Sequence, residues 1–132
     1  MLNRDELRTS PPTAVAMGAG AEVTVGVAVP QNHRRFIYRI RFTNQVAGPN
    51  ALSLGKRENG AGVTTAVDVI QAAVVNEMVN DPEELREDSA PLYVIDGPPG
   101  QAPVLPALNS LVRAFTSAGA GTLTYWYLDS PS

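Results

Sequence analysis

Apolar and polar residues alternate over several short stretches of the chain, which is the period of half-buried β-strands. The alternation is clearest at residues 36–43, and it is also clean near the end of the sequence, after the turn at residues 118–121. Pro30 is expected to end the first strand, because proline cannot donate a backbone hydrogen bond to a sheet. The predicted strands cover residues 23–29, 36–43, 52–54, 92–95, 111–115 and 122–128.

The alternation also predicts which side chains enter the core. One face of the first strand consists of valines only, and one face of the second is aromatic and aliphatic, with Arg39 and Arg41 opposite. Trp126 alternates with two tyrosines, so one of these two sets is expected outside the core or in an interface. The residues predicted to share one face are Val23, Val25, Val27 and Val29 in the first strand, and Phe36, Tyr38, Ile40 and Phe42 in the second, where core packing is expected for Phe36, Tyr38 and Phe42.

Two segments fit both strand and helix. Residues 63–79 alternate at first and then show apolar residues at helical spacing, and residues 104–110 contain Pro106. We favour a strand for residues 63–79, because β-branched residues dominate its first half, and the turn-forming sequence at residues 58–62 predicts a hairpin before it. A capping residue, a proline and two acids at residues 80–85 predict one short helical turn.

This pattern predicts an all-β fold: an antiparallel, jelly-roll-like β-sandwich of seven or eight short strands. Residues 1–20 mix charged residues, Pro, Gly and Ala without either period, so we expect an extended N-terminal arm. The sandwich domain is expected to span residues 21–132. No apolar stretch has the length of a signal-peptide core or a membrane span, so neither is expected.

Composition excludes several classes of function. The chain has 132 residues, a formal net charge of −3, one histidine and no cysteine. Cysteine catalysis, zinc ribbons and disulfide scaffolds are therefore excluded, and a binder of nucleic-acid phosphate is not expected. His33 is interpreted as a solvated corner residue. We expect no enzyme, and no catalytic, cofactor or metal site.

Charge is segregated along the chain. Six of the thirteen acids fall within residues 77–88, while arginines cluster at residues 34–41. The acidic segment is interpreted first as a solvated face. Two alternatives remain open: it binds Ca²⁺ through its carboxylates, or it pairs with the basic stretch of a neighbouring copy.

Three segments together resemble the small β-sandwich structural proteins of tailed phages, in particular the capsid decoration, or cement, proteins. These segments are residues 32–40, residues 81–85 with 88–93 behind them, and residues 121–127. The resemblance covers residues 22–128. It implies a homotrimer on the outer capsid surface of the virion, made in the host cytoplasm, whose N-terminal arm reaches across neighbouring copies of the major capsid protein.

The resemblance and the charge pattern together indicate candidate contact residues. Capsid or partner contacts are expected in the arm, at Arg4, Asp5, Glu6, Leu7, Arg8, Pro11 and Pro12. Contacts between subunits are expected at Arg34, Arg35, Glu83, Glu84 and Trp126. The alternative functions are a carbohydrate- or receptor-binding module, with Trp126 or Tyr127 stacked on a sugar, and another virion component such as a tail or head-completion subunit.

Overall fold

Two antiparallel β-sheets pack against each other across one hydrophobic core. The computed structural model describes residues 7–15, 22–58, 64–80, 90–97 and 109–131, and these contain β-strands and no α-helix. The strands are β1 Arg8–Thr9, β2 Thr13–Val15, β3 Val23–Thr24, β4 Val29–Pro30, β5 His33–Asn44, β6 Asn50–Glu58, β7 Thr65–Val74, β8 Glu77–Asn80, β9 Tyr93–Asp96, β10 Asn109–Thr116 and β11 Gly121–Pro131. The predicted all-β class is confirmed.

The first sheet is built on the pair β5 and β11. β11 pairs with β5 along its whole length, the short strands β1 and β2 pair with the other edge of β11, and β8 and β9 pair with the other edge of β5. The second sheet has the order β3-β10-β6-β7, with β4 also on β10. The described part of the expected arm, residues 7–15, therefore lies along β11 of its own chain.

Most predicted strands are present, and several are divided. β6 and β7 form the predicted hairpin, and the described part of the ambiguous segment at residues 63–79, which begins at residue 64, contains two strands, β7 and β8, in different sheets. The second ambiguous segment and the predicted helical turn lie outside the described residues, except that Asn80 ends β8 and Asn109 begins β10.

The first predicted strand is broken, and the prediction that its four valines share one face is wrong for one of them. Val25 and Val29 are fully buried, whereas Val27 is 62% exposed. The cause is a bend at Gly26, whose φ of +74° is the left-handed conformation that favours glycine. Any added Cβ there would also lie 2.8 Å from the hydroxyl of Tyr125.

β5 changes the face it buries halfway along. Its register with β11 shifts between Trp126 and Tyr127, which leaves Tyr38 as an extra residue in a β-bulge. Beyond the bulge Ile40 and Phe42 face the core as predicted, but before it Arg35 and Ile37 face the core and Phe36 does not. The core placement predicted for Phe36 is therefore wrong.

The core takes side chains from both sheets. Burying one large apolar side chain contributes roughly 1.5–3 kcal/mol, so this cluster is the main source of stability. Its members are Val15, Val25, Val29, Ile37, Ile40, Phe42, Leu52, Leu54, Val74, Ile95, Val112, Ala114, Leu123, Tyr125 and Tyr127.

Candidate functional site

A buried arginine joins the two sheets at one end of the sandwich. Arg35 on β5 has no exposed surface, and its Nε and Nη2 donate to the two carboxylate oxygens of Asp129 on β11, at 2.8 and 2.9 Å. Its remaining donors reach the carbonyl oxygen of Val27 at 2.5 Å, that of Ala28 at 3.3 Å and the hydroxyl of Tyr125 at 3.0 Å. All five guanidinium N–H groups are thus hydrogen-bonded.

Aromatic rings complete this network. The Arg35 guanidinium lies 4.0 Å from the centre of the Tyr127 ring, and Tyr125 donates its own proton to the carbonyl oxygen of Val25 at 2.9 Å. Burial raises the pKa of Tyr125 to about 12, although the charge and hydrogen bond of Arg35 act in the opposite direction. The hydroxyl therefore stays protonated and serves as both donor and acceptor.

The guanidinium stays charged despite its burial. Burial lowers the pKa of Arg35, but the hydrogen bond and charge of Asp129, with smaller contributions from two tyrosines, raise it by more. Arg35 is consequently an internal residue with no exposed donor for a neighbouring subunit. Arg35 is predicted from the sequence as a subunit contact, but all of its donors are used within its own chain.

An open cleft of about 720 Å³ lies beside this network. Its polar lining residues are Arg8, which is exposed, His33 and Asp129. His33 is half-buried, with Nδ1 2.9 Å from the carbonyl oxygen of Gln31. The apolar part of the lining comes from Leu7, Val27, Ala28, Pro30, Tyr127 and Leu128.

The outer face of the first sheet carries a second feature, an apolar row that crosses three strands. The register places Val94 of β9 opposite Phe36 of β5, and Phe36 opposite Leu128 of β11. Val94 is 40% exposed, and the other two are partly exposed. We call these three residues the outer-face row.

Trp126 lies on the same face as the outer-face row. Its neighbours Tyr125 and Tyr127 are buried, so the tyrosines form the core-facing set and the tryptophan the outer set. The guanidinium of Arg39 lies 4.3 Å from the centre of the Trp126 ring. Tyr127, at 4% exposure and covered by Arg35, has no free ring face for a sugar.

The other predicted contact residues lie apart. Arg34 is exposed and pairs with Asp96 on the surface of β9. Leu7 and Arg8 line the cleft, while Pro11 and Pro12 are exposed in the link between β1 and β2. The candidates that fall outside the described residues are Arg4, Asp5, Glu6, Glu83 and Glu84.

The acidic segment is described only at its start. Glu77 pairs with Arg41 at 3.0 Å on the outer face of the first sheet, and residues 81–88 lie outside the described part. Within the described residues, no three carboxylate or imidazole groups converge to hold a metal ion. In the same part of the chain, no helix has the length and apolarity to span a membrane.

Sequence patterns missed the residues that define both surfaces. Asp129 follows the alternating run of β11, but only the register with β5 brings it to Arg35. The sequence places Val94 and Leu128 in strands but does not predict which face they occupy. The chain matches no family model, no curated protein and no solved structure.

Proposed function

We propose that the protein is a capsid decoration protein of a tailed phage, which binds the outer capsid surface as a trimer and bridges neighbouring copies of the major capsid protein. The observation that carries this proposal is the outer-face row. A contiguous apolar strip with a tryptophan and an arginine beside it is typical of protein contact surfaces, in which these residue types are enriched.

The strand β1 lies beside the face that carries the outer-face row, and this position supports the same proposal. Thr9 of β1 pairs with Trp126, so the described part of the arm adjoins the face that carries the row. Capsid contacts through residues 7–12 and through the row would then form one continuous surface. Many modest contacts of this kind suffice on a capsid, because repetition of the lattice adds avidity.

Three finer expectations belong to this proposal. The sandwich has a jelly-roll-like topology, residues 80–85 include a short helical turn, and the protein is located on the virion surface after synthesis in the host cytoplasm.

The test is cosedimentation with capsids that lack the protein, using two variants with the same substitution. Val94→Asp places a charge within the row, and we expect it to weaken capsid binding about tenfold or more, because the charge is desolvated in the contact. Val69→Asp is the control, since Val69 is 62% exposed on β7 of the other sheet. Equal binding of both variants and the unchanged protein would show that the row is not the capsid contact.

A second candidate, a carbohydrate- or receptor-binding module, is favoured by the partial exposure of Trp126. A sugar stacked on this ring would share it with Arg39, which already lies over the ring. Glycan binding that is lost in Trp126→Ala, together with no capsid binding, would select this candidate. Sedimentation with tails or head-completion complexes instead of capsids would indicate a different virion component.

A further inference from the structure

The N-terminal strands complete both sheets of the sandwich. β1 and β2 pair with β11 in the first sheet, and β3 and β4 pair with β10 in the second. We call residues 7–15 and 22–30, which contain these four strands, the edge segment. Its described ladders all join it to β10 and β11, which lie about eighty or more residues further along the chain. These contacts are therefore the same whether the segment comes from its own chain or from an identical copy.

The edge segment also fills part of the core. Val15, Val25 and Val29 are each at most 2% exposed. Ser10 is buried as well, and it forms two hydrogen bonds with the backbone of Tyr125. The rest of the sandwich cannot release this segment without exposing apolar surface, unless an identical segment takes its place.

A corner of two residues joins the edge segment to the rest of the chain. Gln31 and Asn32 lie between β4 in the second sheet and β5 in the first. Among the described residues other than glycine, only Asn32 has a positive φ, +59°. This left-handed conformation is unfavourable for a residue with a Cβ, and an extended corner would relieve it. A short connection under strain is the feature that favours exchange of a segment between copies.

We propose that copies of this chain exchange the edge segment, so that the segment of one copy completes β10 and β11 of the next. The exchanged form keeps the contacts of the closed chain and opens the corner, so the conformation of the corner decides between the two forms. Exchange then increases with protein concentration. Only the number of copies, three, rests on the proposed function; the exchange itself does not require capsid binding.

Engineered disulfides show which copy supplies the segment, because the chain has no cysteine of its own. Ala14 of β2 lies opposite Thr122 of β11, so Ala14→Cys with Thr122→Cys links the segment to the strand that it covers. The control is Thr43→Cys with Glu77→Cys, at facing positions of β5 and β8. After assembly and oxidation, denaturing electrophoresis without reductant should show chains linked to one another for the first pair and single chains for the control.

Variants at the corner test its role. Asn32→Val places a β-branched residue in the left-handed conformation and should favour exchange, whereas Asn32→Gly removes the strain and should favour the closed chain. Light scattering across a gel-filtration peak gives the concentration of half-association, which we expect to be about tenfold lower for Asn32→Val than for Asn32→Gly. Gly48→Val is the control, because Gly48 has a φ of +88° and open space around its Cβ position. It adds strain at a turn within the body, so association should not change.

Three results would overturn the exchange. The first is an oligomer in which the Ala14 and Thr122 cysteines form disulfides only within single chains, since the copies would then associate through another surface. The second is a monomer at every concentration. The third is equal association of the two Asn32 variants.

Capsid cosedimentation separates this proposal from the proposed function. Capsid binding by protein whose disulfides lie only within single chains would overturn the exchange and leave the capsid role in place. Linked chains that do not bind capsids would support the exchange and contradict the capsid role.

Discussion

Replacing Arg35 by methionine should destabilise the protein more than any change at a neighbouring surface arginine. Methionine keeps most of the aliphatic volume of arginine but removes all five donors. The variant leaves two backbone carbonyls, at Val27 and Ala28, and the carboxylate of Asp129 without their partner. It also removes the cation from the ring of Tyr127.

The magnitude follows from the burial of the pair. Removing one partner of a buried ion pair costs about 3–5 kcal/mol, because an uncompensated charge stays behind. The side chain of Asp129 is 22% exposed, so water solvates part of its charge, and we expect a loss near the lower end, about 3 kcal/mol. A domain of this size is stable by about 5–15 kcal/mol, so the variant should still fold.

Urea unfolding followed by the fluorescence of Trp126, the one tryptophan, measures this loss. The matched control is Arg34→Met, the same substitution at the adjacent residue. The side chain of Arg34 is 47% exposed and pairs with Asp96 at the surface, so its loss should cost about 1 kcal/mol or less. A double variant, Arg35→Met with Asp129→Leu, should recover part of the loss, because it removes the isolated charge.

A loss in Arg35→Met no larger than that in Arg34→Met, at unchanged m-value, would refute the argument that the network joins the two sheets. A double variant less stable than Arg35→Met would refute the claim that the isolated carboxylate causes the loss.

Three further predictions concern other parts of the fold. Burial and a nearby carboxylate raise the pKa of Tyr93 to about 12, so the folded state keeps its proton while the unfolded chain loses it. Stability should therefore fall as pH rises from 10 to about 12, and Tyr93→Phe should make this fall smaller in alkaline urea titrations, although the raised pKa of Tyr125 leaves part of it in place. Gly97→Ala should cost about 1–3 kcal/mol in thermal unfolding, because its Cβ would collide with the backbone carbonyl of Pro30. Ser10→Ala should cost about 1–3 kcal/mol and speed hydrogen exchange at the amide of Tyr125, which loses its acceptor; unchanged exchange would contradict this.

Periodicity in the sequence predicted the fold class because most strands bury one face. β11 is the clearest case, since Leu123, Tyr125 and Tyr127 are buried and the residues between them are not. The hairpin of β6 and β7 could also be predicted, because its turn residues are local. Turns and alternating patterns depend on neighbouring residues, so they can be predicted without knowing which strands pair.

The remaining features depend on partners far along the chain. β1 and β2 have two and three residues, too few to show a period, and they form strands because the edge of β11 accepts them. The exposure of Val27 depends on the bend at Gly26, which a strictly alternating sequence conceals. The cleft could not be predicted either, since both sheets contribute to it.

The bulge at Tyr38 connects the stability of the protein to its candidate surfaces. In an unbroken strand, odd-numbered residues share one face, so burying Arg35 would also bury Arg39 and Arg41. The extra residue reverses this relation: Arg35 is buried among five acceptors, while Arg39 lies over Trp126 on the outer face. One inserted residue thus lets a single strand supply an internal ion pair at one end and an arginine-bearing contact surface at the other. Deletion of Tyr38 would remove either the internal ion pair of Arg35 or the arginine on the outer face, because no single register of β5 places both side chains.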